Sequence, residues 1–183
     1  MLLKLDITRA FGGVSWPFLL QILHHLGFGP RWREWISILL STASTRVLID
    51  GHPGPPIDHA HGLRQGDPVS PMLFTLVIDV LNFMLLRAVD LSLLHRLTAH
   101  HAASSISLYA DDVVIFYHPD THDIATVRKL MHVFGLASRL HTNFTKCSAT
   151  PIQCTDDHIA TIASEMQSPV AHFPITYLGL PLS

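Results

Sequence analysis

The stretch "SLYADDVVIFY", residues 107–117, decides the fold, because two short apolar runs flank an acidic pair. Alternate residues from Ile106 to Ala110 are apolar, whereas Asp111 lies on the other, less apolar face, as in a β-hairpin with one covered side. Aspartate also tolerates the left-handed backbone conformations of a tight turn, so Asp111 and Asp112 could be turn residues and nothing more.

A second carboxylate occupies a similar position near the start of the chain. In "LLKLDI", Leu3 and Leu5 alternate with polar residues, and Asp6 lies on the opposite face of the predicted strand. Carboxylates brought side by side repel each other unless a divalent cation neutralises them, and Mg²⁺ prefers oxygen ligands. The combination therefore favours a metal site suited to phosphoryl chemistry over a turn alone.

The remaining chain alternates between helical and strand patterns. The predicted helices are 16–26, a second one after Pro30, about 71–88 with Ser70 as N-cap, about 121–140 capped by Asp120 or Thr121, and about 155–166. The predicted strands include "TRVLID" with "PPID" as its return strand, a strand near 145–150 and a final "ITYLGL" strand. This pattern predicts an α+β fold with helices on one side of a small antiparallel sheet.

Composition limits the function classes. The 183 residues are 48% hydrophobic, enough for one core, and we expect a single domain over residues 1–183 or a large piece of one. The apolar run 71–94 contains Asp79, Asn82, Arg87 and Asp90, which favours a buried helix over a membrane span. The net charge of −2 lacks the basic excess of a protein that grips nucleic acid unaided.

Five segments, in order and spacing, resemble the palm motifs of reverse transcriptases. They are "KLDITRAFGGVSW" (4–16), "GLRQGDPVSPMLF" (62–74), "YADD" (109–112), "NFTKCSATPI" (143–152) and "YLGLPLS" (177–183). The likeness is greatest to plant non-LTR, LINE-type retrotransposons and covers nearly the whole chain. It implies a polymerase palm, an RNA-directed DNA polymerase activity, an RNA template, a DNA primer and deoxynucleoside triphosphates.

The resemblance also implies a role for each matching residue. Asp6, Asp111 and Asp112 would form the carboxylate set for two Mg²⁺ ions, with Mn²⁺ as a substitute. Lys146 matches a lysine that protonates the pyrophosphate leaving group, although a solvated surface lysine would look the same.

Other matches concern the nucleotide and the template. Phe11 matches the aromatic beneath the incoming sugar, where its ring would clash with a 2′-OH, although it could be a core aromatic. Gln65 and Gly66 match the loop along the template base. Arg64 could contact phosphate or only cap the fold. "YLGLPLS" resembles the primer-grip hairpin, and its apolar residues could equally belong to the core.

Some features depart from the family pattern. Gly12 stands where LINE-type sequences usually have an aspartate, and Arg139 stands at a position that is commonly glycine. The fingers that precede the first motif, the thumb that follows the last one and the endonuclease have no counterpart here. We therefore expect a palm fragment that is inactive or feeble when isolated; an active parent protein would work in the nucleus.

The fourteen histidines do not form a recognisable zinc motif. The neighbouring pairs His24-His25, His59/His61 and His100-His101 lack the spacing of a zinc site, and Cys147 and Cys154 form no CxxC pair. Two functions remain from the sequence: a reverse transcriptase, or a catalytically dead transposon-derived remnant that is inert or binds nucleic acid weakly.

Overall fold

The computed structural model describes residues 1–97, 106–109, 112–152 and 154–182. The helices are α1 (Ala10–Gly13), α2 (Trp16–His25), α3 (Pro30–Ser41), α4 (Ser70–Asp90), α5 (Thr121–Ser138) and α6 (Asp156–Met166). The strands are β1 (Leu2–Leu5), β2 (Ser44–Thr45), β3 (Leu48–Ile49), β4 (His52–Pro53), β5 (Ile57–Asp58), β6 (Ile106–Tyr109), β7 (Asp112–Phe116), β8 (Ser148–Thr150), β9 (Ile175–Tyr177) and β10 (Leu180–Leu182).

A four-stranded sheet in the order β6-β7-β1-β8 forms the centre of the fold. Each neighbouring pair is antiparallel, and β1 lies between β7 and β8 with Leu3 opposite both Ile115 and Ala149. The prediction of an α+β fold built on a small antiparallel sheet is confirmed.

Helices cover one face of this sheet. Leu3, Leu5, Val113 and Ile115 join the buried cluster that contains the inner faces of α2, α4 and α5. The β9–β10 hairpin contacts the sheet through polar groups: Lys4 Nζ donates to the Thr176 carbonyl at 3.5 Å, and the hydroxyls of Ser107 and Tyr177 are 3.0 Å apart.

Helix α4 is the most apolar element. By length and composition it could cross a membrane, a property that core helices of soluble proteins share. Its residues Leu73, Val77, Leu81, Leu85 and Ala88 are buried at helical spacing against the core. This burial agrees with the prediction of a core helix.

Several local predictions need correction. Ser70 is not the N-cap of α4 but its first helical residue, and Val69 holds the N-cap position without a side-chain hydrogen bond to the helix. The Val69 N–H itself donates to Asp67 Oδ1 at 2.8 Å. "PPID" contributes β5, which pairs with β2, while the Asp50-Gly51 turn joins β3 to β4.

The predicted "ITYLGL" strand is a hairpin, because its centre forms a turn. Leu178 and Gly179 have φ of 52° and 79°, which reverses the chain between β9 and β10. The pattern of alternate apolar residues could not distinguish a continuous strand from two short strands around a Leu-Gly turn.

The predicted cap of α5 is confirmed, and its other end is strained. Asp120 Oδ1 accepts from the Asp123 N–H at 2.8 Å. At the C-terminus, Arg139 adopts a left-handed conformation (φ 66°, ψ 8°), where helices usually place glycine. Arg139 therefore stands in a left-handed conformation that glycine adopts more easily, at a cost of about 1 kcal/mol of folding free energy.

Tyr117 provides a test of polar burial. Tyr117 is 2% exposed, and its hydroxyl has no hydrogen-bond partner among the described residues. Burying an unpaired hydroxyl costs free energy, so we expect Tyr117→Phe to raise the free energy of unfolding by about 1 kcal/mol. Burial raises the pKa of Tyr117 above its ordinary 10.0, so above pH 10 the unfolded chain loses this proton first. The wild type should therefore lose stability as pH rises above 10, and the phenylalanine variant should lose less.

Urea denaturation between pH 7 and 11 measures both effects. Tyr177→Phe is the matched control, because the Tyr177 hydroxyl has a partner in Ser107. Equal destabilisation by both substitutions would contradict the assignment of an unsatisfied hydroxyl.

Candidate active site

Sheet register brings Asp6 to the hairpin that carries the acidic pair. Leu5, the last residue of β1, pairs with Val113 of β7. Continuing this antiparallel register by one residue sets Asp6 opposite Asp112, the first residue of β7. Asp111 lies outside the described residues, between the paired Tyr109 and Asp112. Two of the three predicted carboxylate residues are thus neighbours at the level of the backbone.

The main chain of Asp6 is held on both sides. Its N–H donates to Cys147 Sγ at 3.3 Å, and its carbonyl accepts from the Asn143 N–H at 3.0 Å. The half-buried carboxylate has no hydrogen bond or ion pair to any residue that the structure describes. A fixed backbone below an unpaired carboxylate suits an oxygen ligand for a divalent cation.

Cys147 is the buried neighbour of Asp6. Burial raises the pKa of the Cys147 thiol; the hydrogen bond from the Asp6 N–H opposes this, and the Asp6 charge adds to it. The thiol therefore stays protonated near neutral pH, and no second negative charge forms behind Asp6.

Lys146 lies in the turn that binds the Asp6 backbone. Its N–H donates to the Asn143 carbonyl at 3.0 Å, and Asn143 in turn donates to the Asp6 carbonyl. The Lys146 side chain is exposed. The turn places the backbone of Lys146 close to that of Asp6, and both interpretations of Lys146, general acid or solvated surface lysine, stay predictions.

A cavity of about 600 Å³ borders Ile7, the residue after Asp6, and contains three of the predicted nucleotide-site residues in its wall. Phe11, Arg64 and Gln65 line it, together with Ile7, Arg9, Ala10, Gly12, His59 and Leu63. Gly66 follows directly, with φ of +87° and open space where a Cβ would stand. Gly66 therefore suits the left-handed backbone conformation at this position. Its predicted approach to a template base is a separate reason for a residue without a side chain.

The loop that carries Arg64 and Gln65 is bound directly to α1. Leu63 N–H donates to the Phe11 carbonyl at 2.7 Å, and Gly62 N–H donates to the Val14 carbonyl at 2.8 Å. Trp16 Nε1 donates to the Gly62 carbonyl at 2.6 Å. These hydrogen bonds hold the segment "GLRQGDPVSPMLF" against the segment "KLDITRAFGGVSW". Residues of both segments line the cavity.

Phe11 packs on the core and also borders the cavity, while its role beneath an incoming sugar stays a prediction. Its ring stacks on Phe74 of the core with centroids 4.6 Å apart and planes 17° apart, yet it remains half-buried and lines the cavity. The core therefore supports one side of the ring, and the remaining exposed surface of the ring faces the cavity.

Gly12 lies on the same wall with room for a side chain. A Cβ built there would meet nothing within 4 Å. The missing acidic residue is therefore a chemical difference from the LINE-type pattern and is not imposed by steric crowding.

The structure also forms a cluster that the sequence did not indicate. His95, Asp120, His122 and Asp123 bring potential ligand atoms within 4.8 Å of one another. His95 precedes Asp120 by 25 positions, so no local spacing motif could reveal the set.

Comparison with known proteins identifies the family of the chain. The model of the family described as reverse transcriptase (RNA-dependent DNA polymerase) matches residues 1–182. The chain belongs to the reverse transcriptase family.

Similar proteins come from R2 and TX1 elements. This reverse transcriptase domain is 35% identical over 78 residues to a retrovirus-related Pol polyprotein from a type-1 retrotransposable element R2 of Popillia japonica, which covers 43% of the chain and 13% of that protein. It is 27% identical over 146 residues to the transposon TX1 uncharacterized 149 kDa protein of Xenopus laevis, covering 80% of the chain and 11% of that protein. It is 28% identical over 113 residues to the retrovirus-related Pol polyprotein from the type-2 retrotransposable element R2DM of Drosophila melanogaster, covering 62% of the chain and 10% of that protein.

The chain thus spans about a tenth of the length of these relatives. They group it with the reverse transcriptase domains of non-LTR retrotransposons.

Proposed function

We propose that this chain is the palm part of an RNA-directed DNA polymerase that extends a DNA primer along an RNA template. The observation that supports the proposal is the β1–β7 register, which sets Asp6 next to Asp112 at the start of β7, and the resemblance assigns Asp111 to the same carboxylate set. The cavity that borders Ile7 adds a surface for a deoxynucleoside triphosphate. The likeness of the five motifs to plant LINE-type sequences supports a plant LINE element as the source.

In this mechanism Asp6, Asp111 and Asp112 would hold Mg²⁺, or Mn²⁺ in its place. Ions held by these residues would lower the pKa of a primer 3′-hydroxyl and would stabilise negative charge on the leaving phosphate oxygens. Asp6 would contribute its carboxylate, and hydrogen bonds to Cys147 and Asn143 fix the Asp6 backbone.

The remaining residues position the substrates. Phe11, supported by Phe74, would exclude a 2′-OH under the sugar. Gln65 and Gly66 would lie along the new base pair, and Arg64 would contact phosphate from the cavity wall. Lys146, exposed beside Asp6, would donate a proton to pyrophosphate.

We further propose that the 183-residue polypeptide alone is inactive or feeble. Its net charge is −2, so it offers little electrostatic grip on a primer–template duplex. In the parent protein, fingers and thumb would supply that grip, with the endonuclease as a separate activity.

A remnant without catalysis is the second candidate, and Gly12 in place of an acidic residue favours it. Such a protein would keep the fold and bind nucleic acid weakly or not at all. The two candidates differ in whether the aspartates bind divalent cations and support nucleotide incorporation.

Two measurements separate these candidates. Mn²⁺ binding is followed by electron paramagnetic resonance in the wild type, Asp6→Asn and Asp111→Asn, with Asp79→Asn on the exposed side of α4 as control. We expect Asp6→Asn and Asp111→Asn, but not Asp79→Asn, to lose bound Mn²⁺. Primer extension on a poly-A template with Mg²⁺ should show incorporation that is low in the wild type and at background in Asp111→Asn.

Equal Mn²⁺ binding by all four proteins, or equal measurable incorporation by wild type and Asp111→Asn, would rule out the polymerase proposal. Ions held elsewhere on the chain contribute equally to all four proteins, so they do not affect the comparison.

A further inference from the structure

The cluster of His95, Asp120, His122 and Asp123 lies apart from the candidate active site, at the far end of β7. His95 Nδ1 is 3.0 Å from Asp123 Oδ1 and 3.2 Å from Asp120 Oδ2, and His122 Nδ1 is 3.5 Å from the same Asp123 Oδ1. Two imidazole nitrogens and two carboxylate oxygens thus converge on one small volume.

The His122–Asp123 distance lies in the range of an edge of a zinc coordination tetrahedron, and the two His95 distances are 0.1–0.3 Å shorter than such an edge. Zinc bonds of about 2.0–2.2 Å to nitrogen and oxygen place neighbouring ligand atoms about 3.3–3.6 Å apart. The two His95 contacts also have the length of hydrogen bonds, with one His95 N–H shared between two carboxylate oxygens when no ion is bound. The His122 contact, at 3.5 Å, is longer than an ordinary N–H···O bond.

The burial of Asp123 is an independent indication. Its side chain is 0% exposed, whereas the side chains of His95 and His122 are 63% and 61% exposed. The ion pairs formed by this carboxylate within the described residues are with histidines, which carry charge only when protonated. A buried carboxylate that faces two imidazole rings is an oxygen donor of the kind that binds a divalent cation together with histidine nitrogens.

The surrounding contacts orient the ligands without occupying all of their atoms. The His95 backbone N–H donates to both Asp123 oxygens, at 3.3 and 3.2 Å. Asp120 uses Oδ1 to cap α5 and directs Oδ2 to His95. Such supporting hydrogen bonds fix ligand orientation in metal sites.

We propose that His95, Asp120, His122 and Asp123 form a structural zinc site. His95 lies on the segment before β6, and the other three ligands follow β7 at the start of α5. A bound ion would therefore cross-link the segments that enter and leave the hairpin of Asp111 and Asp112. Its role is distinct from nucleotide chemistry, and the inference does not depend on the proposed function.

Zinc binding is tested on the full 183-residue chain after removal of metal with a chelator. We expect one Zn²⁺ per chain by isothermal titration calorimetry, and a rise in Tm of about 5–10 °C when free Zn²⁺ is 100 times the Kd. Co²⁺ in the same site should give the intense visible absorption of tetrahedral coordination.

Variants assign the binding to these residues. His122→Ala and Asp120→Asn should each weaken Zn²⁺ binding at least about 10-fold, since even loss of a supporting contact costs that much. Asparagine keeps the helix cap, so the metal-free Asp120→Asn protein should melt like the metal-free wild type. His132→Ala, at an exposed position of α5, is the matched control and should bind Zn²⁺ within about 2-fold of wild type, as expected for a surface substitution.

Failure of the wild type to bind Zn²⁺, or Zn²⁺ binding that His122→Ala and Asp120→Asn leave unchanged, would overturn the proposal. Equal weakening by His132→Ala would also overturn it, because binding would then be spread over the surface histidines. If His122→Ala does not fold, Asp120→Asn decides.

Discussion

Replacing Phe74 with alanine is expected to lower the free energy of unfolding by about 3–5 kcal/mol, as for other buried phenylalanines. Phe74 is fully buried on α4 within the main core, so its truncation leaves a cavity. The substitution also removes the ring that supports Phe11. We therefore expect the cavity wall to loosen together with the core.

Urea denaturation at pH 7 measures this effect, and Phe83→Ala is its matched control. Phe83 lies on the same helix with 67% of its surface exposed, so its truncation should change stability by no more than about 0.5 kcal/mol. Similar losses in the two variants would show that α4 does not present Phe74 to the core as described.

Gly62→Ala is expected to destabilise the protein by about 3 kcal/mol or more. Gly62 has φ of +88°, a conformation that is costly for alanine, and a Cβ there would lie 2.7 Å from the Gly12 carbonyl oxygen. The obstructing atoms belong to the backbone, so no side-chain rotation relieves the clash. The loop should separate from α1 and weaken the Trp16 bond to the Gly62 carbonyl.

Gly12→Ala tests the other side of the same contact. Its Cβ meets nothing within 4 Å and its residue is helical, so alanine should be neutral or stabilising by up to about 1 kcal/mol. Thermal melts and Trp16 fluorescence follow both variants. A Gly62→Ala protein as stable as Gly12→Ala would contradict the close approach of loop and helix.

Much of the fold could be predicted from the sequence because its patterns are local. Apolar spacing located the long helices, and the Asp120 cap came from its position before an apolar run. Predictions failed where backbone geometry or partner choice decided the outcome, as in the Leu178-Gly179 turn and the pairing of β5 with β2. Alternation in sequence gives a strand its two faces but does not choose its neighbour.

The candidate site shows the same division. The motifs indicated Phe11, Arg64 and Gln65 separately, but only the folded loop shows that they line one cavity. The cluster around Asp123 escaped prediction because its ligands come from two segments whose distance in sequence carries no signal. The assignments of catalytic roles to individual residues remain predictions that the variants above can test.

The central position of β1 constrains how the protein can be synthesised and folded. Its partners are residues 113–116 and 148–150, so β1 cannot complete its pairing until about 150 of these 183 residues have been translated. Until then its leucines are exposed to solvent or to chaperones, and closure requires contacts between distant segments, which slows folding. Deleting Leu2–Leu5 would remove a central strand of the sheet, so variants without these residues should give poor yields of folded protein.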